Sequence, residues 1–452
     1  MYTDLTYQDY LQSPDRRAFL TEAVTRYKTS AFFRDCLTAT AYFRGENTAV
    51  ARKTILRARR VETRDARGRS RSRAELKDVV GNRVGSSFLH RFVVQQNQYL
   101  LSNGVQLGSA AAKRRLGTDF DAQLSRMGEK ALLHGVCWGF WNADHLEVLE
   151  CAVDPRSGFL PLLDELSGQP RVGIQFWQVS QRRPLYIRLY EPEGVTLLRQ
   201  DGGRLRVLQP QTPYVQTRRA DLLGETILPE PGYPRLPILP LWGNPEHQSE
   251  LTPAIRSKID AYDRILSDYA DNLDRANDIY WVLNNFGGTT EEVAEQLEEI
   301  NRIKAIACIT DGSGVSSTAE PHTIEVPYAA RQAALDILER ALYQDFMALD
   351  MRMLTGGSLT NVAIRTALAN LDLKADRYEW ELTQFVSDLL MLIGVSDAGD
   401  IRFKRQDVSN ASEIVADIAV MRADIDRNTA LRLNPYIQNE EVEGILEEGM
   451  EA

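Results

Sequence analysis

Between Leu251 and Gly394, two apolar-striped helical segments flank a compact insertion, and a Gly-Gly loop leads into a third, very long helix. The first segment sets Ile255, Ile259, Tyr262, Leu266, Tyr269, Leu273, Ala276 and Tyr280 alternately four and three residues apart. That unbroken alternation is the heptad-like spacing of a helix seam. A seam of this length in an acidic chain implies helices packed around something larger than one subunit's own core.

The rest of this half follows from local signals. Thr252-Pro253 offers an N-cap with proline at the first helical position,. A helix from there to about Asp278 would be about 40 Å long. Ile279–Phe286, Ile303–Thr310 and His322–Val326 read as strands, Gly287-Gly288 as a turn and Asp311-Gly312-Ser313-Gly314 as a loop. Thr289 and Glu292 stand in capping-box relation at the start of an acidic helix,. A second long helix spans Tyr328 to Met353, with Leu335, Leu338, Leu342, Phe346 and Leu349 on one side. Thr355-Gly356-Gly357-Ser358 must break it. Thr360 to Gly394 then reads as one helix of about 50 Å, with Trp380, Phe385, Leu389 and Leu390 crowding its second half,. Ile401–Arg405 is a strand, and short helices close the chain.

The first half is mixed. Residues 1–50 suggest one or two short helices, and segment 52–77 is rich in arginine. Acids interrupt that run and no aromatic residue interleaves to stack on bases, so a solvated, mobile loop is expected rather than a nucleic-acid grip. Helices are expected at 83–102 and at 118–134, where Phe120, Leu124, Met127 and Ala131 share a face and Gly135 supplies the stop,. A β-rich block follows, with Asp201-Gly202-Gly203 as a hairpin turn,. A proline-rich connector from Pro229 to Pro253 cannot be helical and separates the α+β half from the helical half,.

At 452 residues the chain exceeds one compact core, so about two to four domains are expected,. No run of about 18 apolar residues suggests a membrane span, and the N-terminus lacks the pattern of a secretion signal,. A net charge of −10 argues against a broad basic surface that grips nucleic acid,. It is compatible with a surface that lets a polyanion pass. Cys36, Cys137, Cys151 and Cys308 form no paired motif and read as reduced, buried thiols,.

Few residues stand in patterns that carry reaction chemistry. The five histidines stand in no hydrolase or metalloprotease context, and Asp311-Gly312-Ser313-Gly314 lacks the lysine of a phosphate loop,. No catalytic, cofactor-binding or metal-binding set is assigned. Asp260, Asp263, Asp271, Asp274 and Asp278 fall near one face of the first long helix. They could be two-metal nuclease ligands, the solvent face of an amphipathic helix, or the wall of a wet channel. Arg352, Thr355, Ser358, Thr360 and Asn361 around the Gly-Gly loop could touch phosphate, although polar capping of the two helices explains them as well,.

The order of these parts resembles the portal proteins of tailed double-stranded DNA phages, in their siphophage-type family. Local strings carry the resemblance: Pro240-Leu241-Trp242-Gly243-Asn244, Ser249-Glu250-Leu251, Ile259-Asp260-Ala261-Tyr262-Asp263, Val282-Leu283-Asn284-Asn285-Phe286-Gly287-Gly288, and Leu371-Asp372-Leu373-Lys374-Ala375-Asp376. It covers most of the chain and is strongest from about 235 to 405.

The resemblance implies an α+β portal fold and a ring of about twelve subunits. Residues 1–250 would form the wing, 251–278 and 327–350 the two stem helices, and 279–326 a small αβ clip. Residues 351–360 would be the tunnel loop, 361–408 a long kinked wing helix with a return strand, and 409–452 the crown. The DNA-facing residues would be Arg352, Thr355, Gly356, Gly357, Ser358, Thr360 and Asn361. The stem seam would be Ile259, Tyr262, Leu266, Tyr269 and Leu273, with its apolar side chains buried. Asn285, Gly287, Gly288, Asp311, Gly312 and Ser313 in the clip would face terminase and the head-completion adaptor. Further implied partners are double-stranded DNA and the major capsid and scaffolding proteins, at a capsid vertex assembled in the host cytoplasm. No enzyme activity, cofactor or membrane is implied. A metal-dependent nuclease and a cytoplasmic coiled-coil scaffold are the competing readings.

Overall fold

The computed structural model describes residues 2–64, 70–221, 224–229, 232–275, 279–284, 318–323, 328–354, 360–405, 411–421, 425–434, 437 and 442. The fold is mixed α and β, with antiparallel sheets throughout. Two units separate: Met1–Arg44, Phe88–Pro253 and Tyr343–Ala452 form the first, and Gly45–Ser87 with Ala254–Leu342 form the second.

The first unit is built on a six-stranded meander. Its strands run in the order Arg204–Thr212, Gly194–Asp201, Tyr186–Glu191, Pro170–Trp177, Ser157–Leu163 and Ala152–Asp154. The expected hairpin turn is present: Asp201 pairs with Arg204, and Gly202 and Gly203 hold φ of 56° and 84°. Two positive φ values in a two-residue loop are what a type I′ turn demands. Helices Arg16–Thr29 and Ala31–Phe43 pack on this sheet through Phe19, Leu20, Tyr27 and Phe33. The Tyr27 hydroxyl donates to the Cys151 carbonyl at 3.0 Å, so its buried oxygen is satisfied. The N-terminal region therefore holds more helix than its sequence suggests.

A smaller sheet places Val136–Asn142 between Ile238–Trp242 and His145–Leu149. Its central strand is buried on both faces from Val136 to Trp141, which is why it is continuously apolar rather than alternating. Ile238–Trp242 arises inside the proline-rich connector. Pro240 is tolerated there because the strand lies at the sheet edge, where a missing N–H costs no ladder bond,.

Helix Phe120–His134 and the long helix Asn361–Leu392 complete this unit. On the long helix, Ile364, Leu368, Leu371, Ala375, Tyr378, Leu382, Phe385 and Leu389 are buried, four and three residues apart in turn. A fully buried heptad row thus lies on this helix. Trp380 does not join it: the ring faces away and is 75% exposed. Cys36, Cys137 and Cys151 are buried free thiols, as expected, and Cys308 lies outside the described residues.

In the second unit the arginine-rich segment corrects an expectation. It forms a hairpin, Thr54–Arg64 with Ser70–Val80, paired from Thr54↔Val80 to Arg64↔Ser70. Charge density suggested a mobile loop. Thr54 and Ile55, opposite Val80 and Val79, supply the β-propensity that favours a ladder instead,. The unit also contains helix Pro253–Arg275 from Ala254 onward, most of helix Tyr328–Phe346, and a ribbon pairing Ile279–Asn284 with Thr318–Thr323. No described helix is long and apolar enough to cross a membrane.

Gly135 ends helix Phe120–His134 at φ 83°, and a Cβ there would lie 2.8 Å from the His247 carbonyl oxygen. Gly135→Ala should therefore destabilise the first unit by about 1–3 kcal/mol. Gly202→Asn, at an open turn position, should stay within about 0.5 kcal/mol. Urea titration of the two variants measures the contrast.

Candidate functional site

The first long helix, Pro253–Arg275, carries a row of residues four apart: Ile255, Ile259, Asp263, Ser267 and Asp271. All five are buried, with relative exposures of 4%, 1%, 0%, 0% and 6%. The row starts apolar and turns polar, and its polar part binds an extended segment. The Ser86 backbone N–H donates to Asp263 Oδ1 at 2.9 Å. The Val84 N–H donates to Ser267 Oγ at 3.0 Å, and the Asn82 N–H to Asp271 Oδ1 at 2.7 Å. Four helical residues rise about 6.0 Å and two extended residues about 6.6 Å. An i, i+4, i+8 row of side-chain acceptors therefore matches alternate backbone donors of a strand that has no sheet partner.

The flanks tie this ladder down. The Asn47 side-chain amide donates to the Ser86 carbonyl at 3.0 Å and also to Asp263 Oδ2. Lys53 Nζ reaches Asp271 Oδ2 at 2.6 Å and Asp268 Oδ1 at 2.7 Å. The Asn82 side-chain amide donates to Asp274 Oδ2 at 2.7 Å. The two buried carboxyls respond in opposite ways. Burial raises the Asp263 pKa by more than Asn47 and Ser86 lower it. Burial also pushes Asp271 upward, but the Asn82 N–H and the Lys53 ammonium outweigh it and leave the pKa lowered.

This geometry corrects the reading of Asp263 and Asp271; Asp274 is exposed, Asp260 is half-buried, and Asp278 lies outside the described residues. Asp263 and Asp271 face neither solvent nor a channel, and their oxygens are committed to backbone N–H groups, Asn47 and Lys53. A nuclease built on them would have to break the ladder first. Among the described residues no group of three or more His, Cys, Asp or Glu is arranged around a common point.

The apolar seam is partly open in a single chain. Ile259 is buried, but Tyr262, Leu266 and Tyr269 are only half-buried, and Leu273 is 43% exposed. Tyr269 meets Tyr328 edge-on at 5.9 Å. In one chain the stripe is open along its C-terminal half, because the polar row four residues apart takes the internal contacts.

The expected tunnel-loop residues divide. Arg352 lies in a 3-10 turn, Met351–Leu354, and its guanidinium grips the Asp350 carboxylate at 2.9 to 3.1 Å. That hydrogen bond holds Asp350 below its ordinary pKa, so the arginine charge already has an internal partner. Thr360 is the N-cap of the long helix, its Oγ1 accepting from the Ala363 N–H at 3.3 Å. The Asn361 N–H donates to Glu413 at 2.5 Å, which puts a carboxylate at the positive end of the helix dipole,. Thr355, Gly356, Gly357 and Ser358 lie outside the described residues. So do Asn285, Gly287, Gly288, Asp311, Gly312 and Ser313; the flanking strands pair up to Asn284↔Thr318.

Sequence reading missed the role of Lys374 and Glu250, although both stand in strings that carried the resemblance. Lys374 Nζ lies 2.7 Å from Glu250 Oε2, 3.0 Å from the Phe346 carbonyl and 3.2 Å from the centre of the Phe346 ring. Burial lowers the Lys374 pKa more than Glu250 raises it. One buried ammonium thus joins the long helix, the loop before Leu251 and the last carbonyl of helix Tyr328–Phe346. Among the histidines, His134 is buried against Thr40 at 3.0 Å, and burial brings its pKa down to about 4, so it is a neutral structural residue at pH 7.

The pH sign follows from the two aspartates. Asp271 has a depressed folded pKa, so its contribution is complete above its ordinary value near 3.8 and is lost as pH falls through the folded value,. Asp263 has a raised folded pKa, so its charge weighs against folding at neutral pH and that penalty fades on acidification,. Asp271→Asn should cost about 1–3 kcal/mol at pH 7, with the difference from wild type vanishing at the acid end. Asp263→Asn keeps an acceptor for Ser86 and should stay within about 1 kcal/mol at pH 7. Urea melts from pH 7 down to pH 3 test both; equal losses at pH 7 would contradict the assignment.

Comparison with known proteins adds identity to this geometry. The family model described as "Phage portal protein, SPP1 Gp6-like" matches residues 26–452. The portal protein of Clostridium phage phiCD119 is 32% identical over 213 residues, covering 46% of this chain and 46% of that protein. The portal protein of Bacillus phage SPP1 is 28% identical over 227 residues, covering 47% of this chain and 44% of that protein. The chain thus spans a little under half the length of these curated relatives. A chain in the solved structure "Neck of empty GTA particle computed with C6 symmetry" aligns over 80% of this chain and 90% of its own length, at 14% identity and a TM-score of 0.38. With the family match running through the helix array, the buried ladder and the long helix, the chain belongs to the SPP1 Gp6-like family of phage portal proteins.

Proposed function

We propose that the chain assembles into a ring of about twelve subunits at one capsid vertex. The ring serves as the conduit for genome packaging and ejection, and as the platform for terminase and head-completion proteins. The match of the portal family model over residues 26–452 carries this reading. In this scheme residues 1–250 form the wing, 251–278 and 327–350 the stem, 279–326 the clip, 351–360 the tunnel loop, 361–408 the long wing helix with its return strand, and 409–452 the crown. The part played is structural. ATP hydrolysis belongs to the terminase, assembly takes place in the host cytoplasm, and the capsid and scaffolding proteins surround the ring.

Two physical features support the assignment. Tyr262, Leu266, Tyr269 and Leu273 form an apolar stripe only partly covered in one chain, which suits a stem helix that meets its neighbours in a ring,. A net charge of −10 per subunit lets the ring enclose DNA without holding it,.

Mass photometry and negative-stain imaging of purified protein should show rings of about twelve subunits with a central hole. Monomers or dimers at every salt concentration would count against the proposal. Leu273→Asp should prevent assembly while leaving the monomer's thermal transition within a few degrees of wild type, since that side chain is already 43% exposed in one chain. Rings at wild-type yield would remove the seam from the interface. Deleting Gly356 and Gly357 should leave rings intact and abolish packaging in a complementation assay; normal packaging would dismiss that segment as the tunnel loop.

A further inference from the structure

The long helix Asn361–Leu392 has a second row opposite its buried heptad. Val362, Leu373, Trp380 and Met391 are 71%, 58%, 75% and 64% exposed. Their spacings of eleven, seven and eleven residues keep them within about 20° of one line on a 3.6-residue helix. An indole on open surface is rare, and its N–H has no hydrogen-bond partner among the described residues. Trp380 also borders an open depression of about 660 Å³, lined by Asp376, Glu379, Thr383, Gln384 and Arg405. Arg405 is shared by three carboxylates, Asp372 at 2.8 Å, Glu379 at 3.2 Å and Asp376. Three carboxylates around one guanidinium leave the depression negative.

Elsewhere in the same unit, one surface has the complementary character. The turn between strands Pro170–Trp177 and Tyr186–Glu191 reads Gln178-Val179-Ser180-Gln181-Arg182-Arg183-Pro184-Leu185 and holds no acidic residue. Val179 is 78% exposed. Arg182 and Arg183 are exposed and make no ion pair among the described residues. The turn is rigid: the Arg183 N–H donates to the Ser180 carbonyl at 3.0 Å, and the Gln178 amide to the Arg183 carbonyl at 2.8 Å. Trp177 and Tyr186 stack at its base with ring centres 5.6 Å apart. A preorganised turn loses little entropy on docking.

We propose that the Trp380 depression receives the Val179–Arg183 turn of a neighbouring copy of this chain. An arginine from the turn lies over the indole face while the depression's carboxylates meet the charge, and Val179 covers the apolar row toward Leu373. Trp and Arg are among the residue types enriched at interface hot spots, and a cation over an indole adds its own attraction. The two surfaces differ, so the contact is head-to-tail, the type that closes into a ring when the rotation per subunit allows. The inference rests on the ring reading above and specifies a contact within it.

The test places a benzophenone amino acid at Val179 and irradiates particles already sized by mass photometry. The expected product is a band at twice the chain mass whose cross-linked peptide contains Trp380. Rings that give no such band, or that cross-link at another surface, overturn this contact and leave the ring reading standing. Wild-type protein that forms no rings overturns both. A second measurement uses charge: Arg182→Glu with Arg183→Glu should raise the concentration for half-assembly about tenfold. Adding Gln384→Lys should recover part of it, with circular dichroism confirming that each variant is folded. An unchanged midpoint, or no recovery with Gln384→Lys, overturns the proposal.

Discussion

The second unit is organised by a ladder that is neither helix nor sheet. Asp263, Ser267 and Asp271 lend side-chain oxygens to the backbone N–H groups of Ser86, Val84 and Asn82. An extended segment that lies on a helix with no strand beside it must satisfy its N–H groups there or in water, and an N–H shut off from both costs about 1–3 kcal/mol. Without these acceptors the half-exposed segment after the arginine-rich hairpin would lose the bonds that hold its backbone to this helix. The ladder therefore decides which helix face turns inward. Once the polar row is internal, the stripe through Leu266 and Leu273 is left partly exposed. Lys53 keeps the arrangement charge-balanced by answering Asp271 from within the same unit.

The first unit solves a related problem with apolar material. The heptad row of the long helix buries one face from Ile364 to Leu389, while Lys374 places a largely buried cation beside it. Breaking one partner of such a pair costs more than the pair contributes, typically about 3–5 kcal/mol, because a lone charge is left in a dry site. Lys374 and Glu250 therefore add a specific constraint to the rotation of the helix about its axis that its buried row sets. With that rotation set, Trp380 and its row are held outward.

Much of this was legible in the sequence. The helix Phe120–His134 with its glycine stop, the turn at Asp201–Arg204 and the long third helix all rest on short-range rules, and all are present. Segment 54–80 was misread because charge density is a weak guide to backbone pairing, and a ladder's register depends on residues far along the chain. The aspartates were misread for a deeper reason. Periodicity shows that Asp263, Ser267 and Asp271 share a face, but not whether that face meets water or backbone. Their partner is a non-repeating segment some 180 residues earlier, and no local pattern announces it. The same limit hid Lys374 and Glu250, whose separation of 124 residues carries no periodic signal.

These corrections change what the proposed conduit can use against DNA. Arg352 is already answered by Asp350, and Thr360 and Asn361 are used at the start of the long helix. Asp263 and Asp271 are sequestered and cannot repel a phosphate backbone directly. A net charge of −10, multiplied around the proposed ring, adds a field that acts through solvent,. Such a field weakens over about 10 Å at 0.1 M salt, so it excludes close adhesion while leaving a hydrated polymer free to move along the axis. A conduit needs that balance. Specific phosphate contacts would add a barrier at every register, whereas a diffuse field of one sign is nearly the same at each step of translocation.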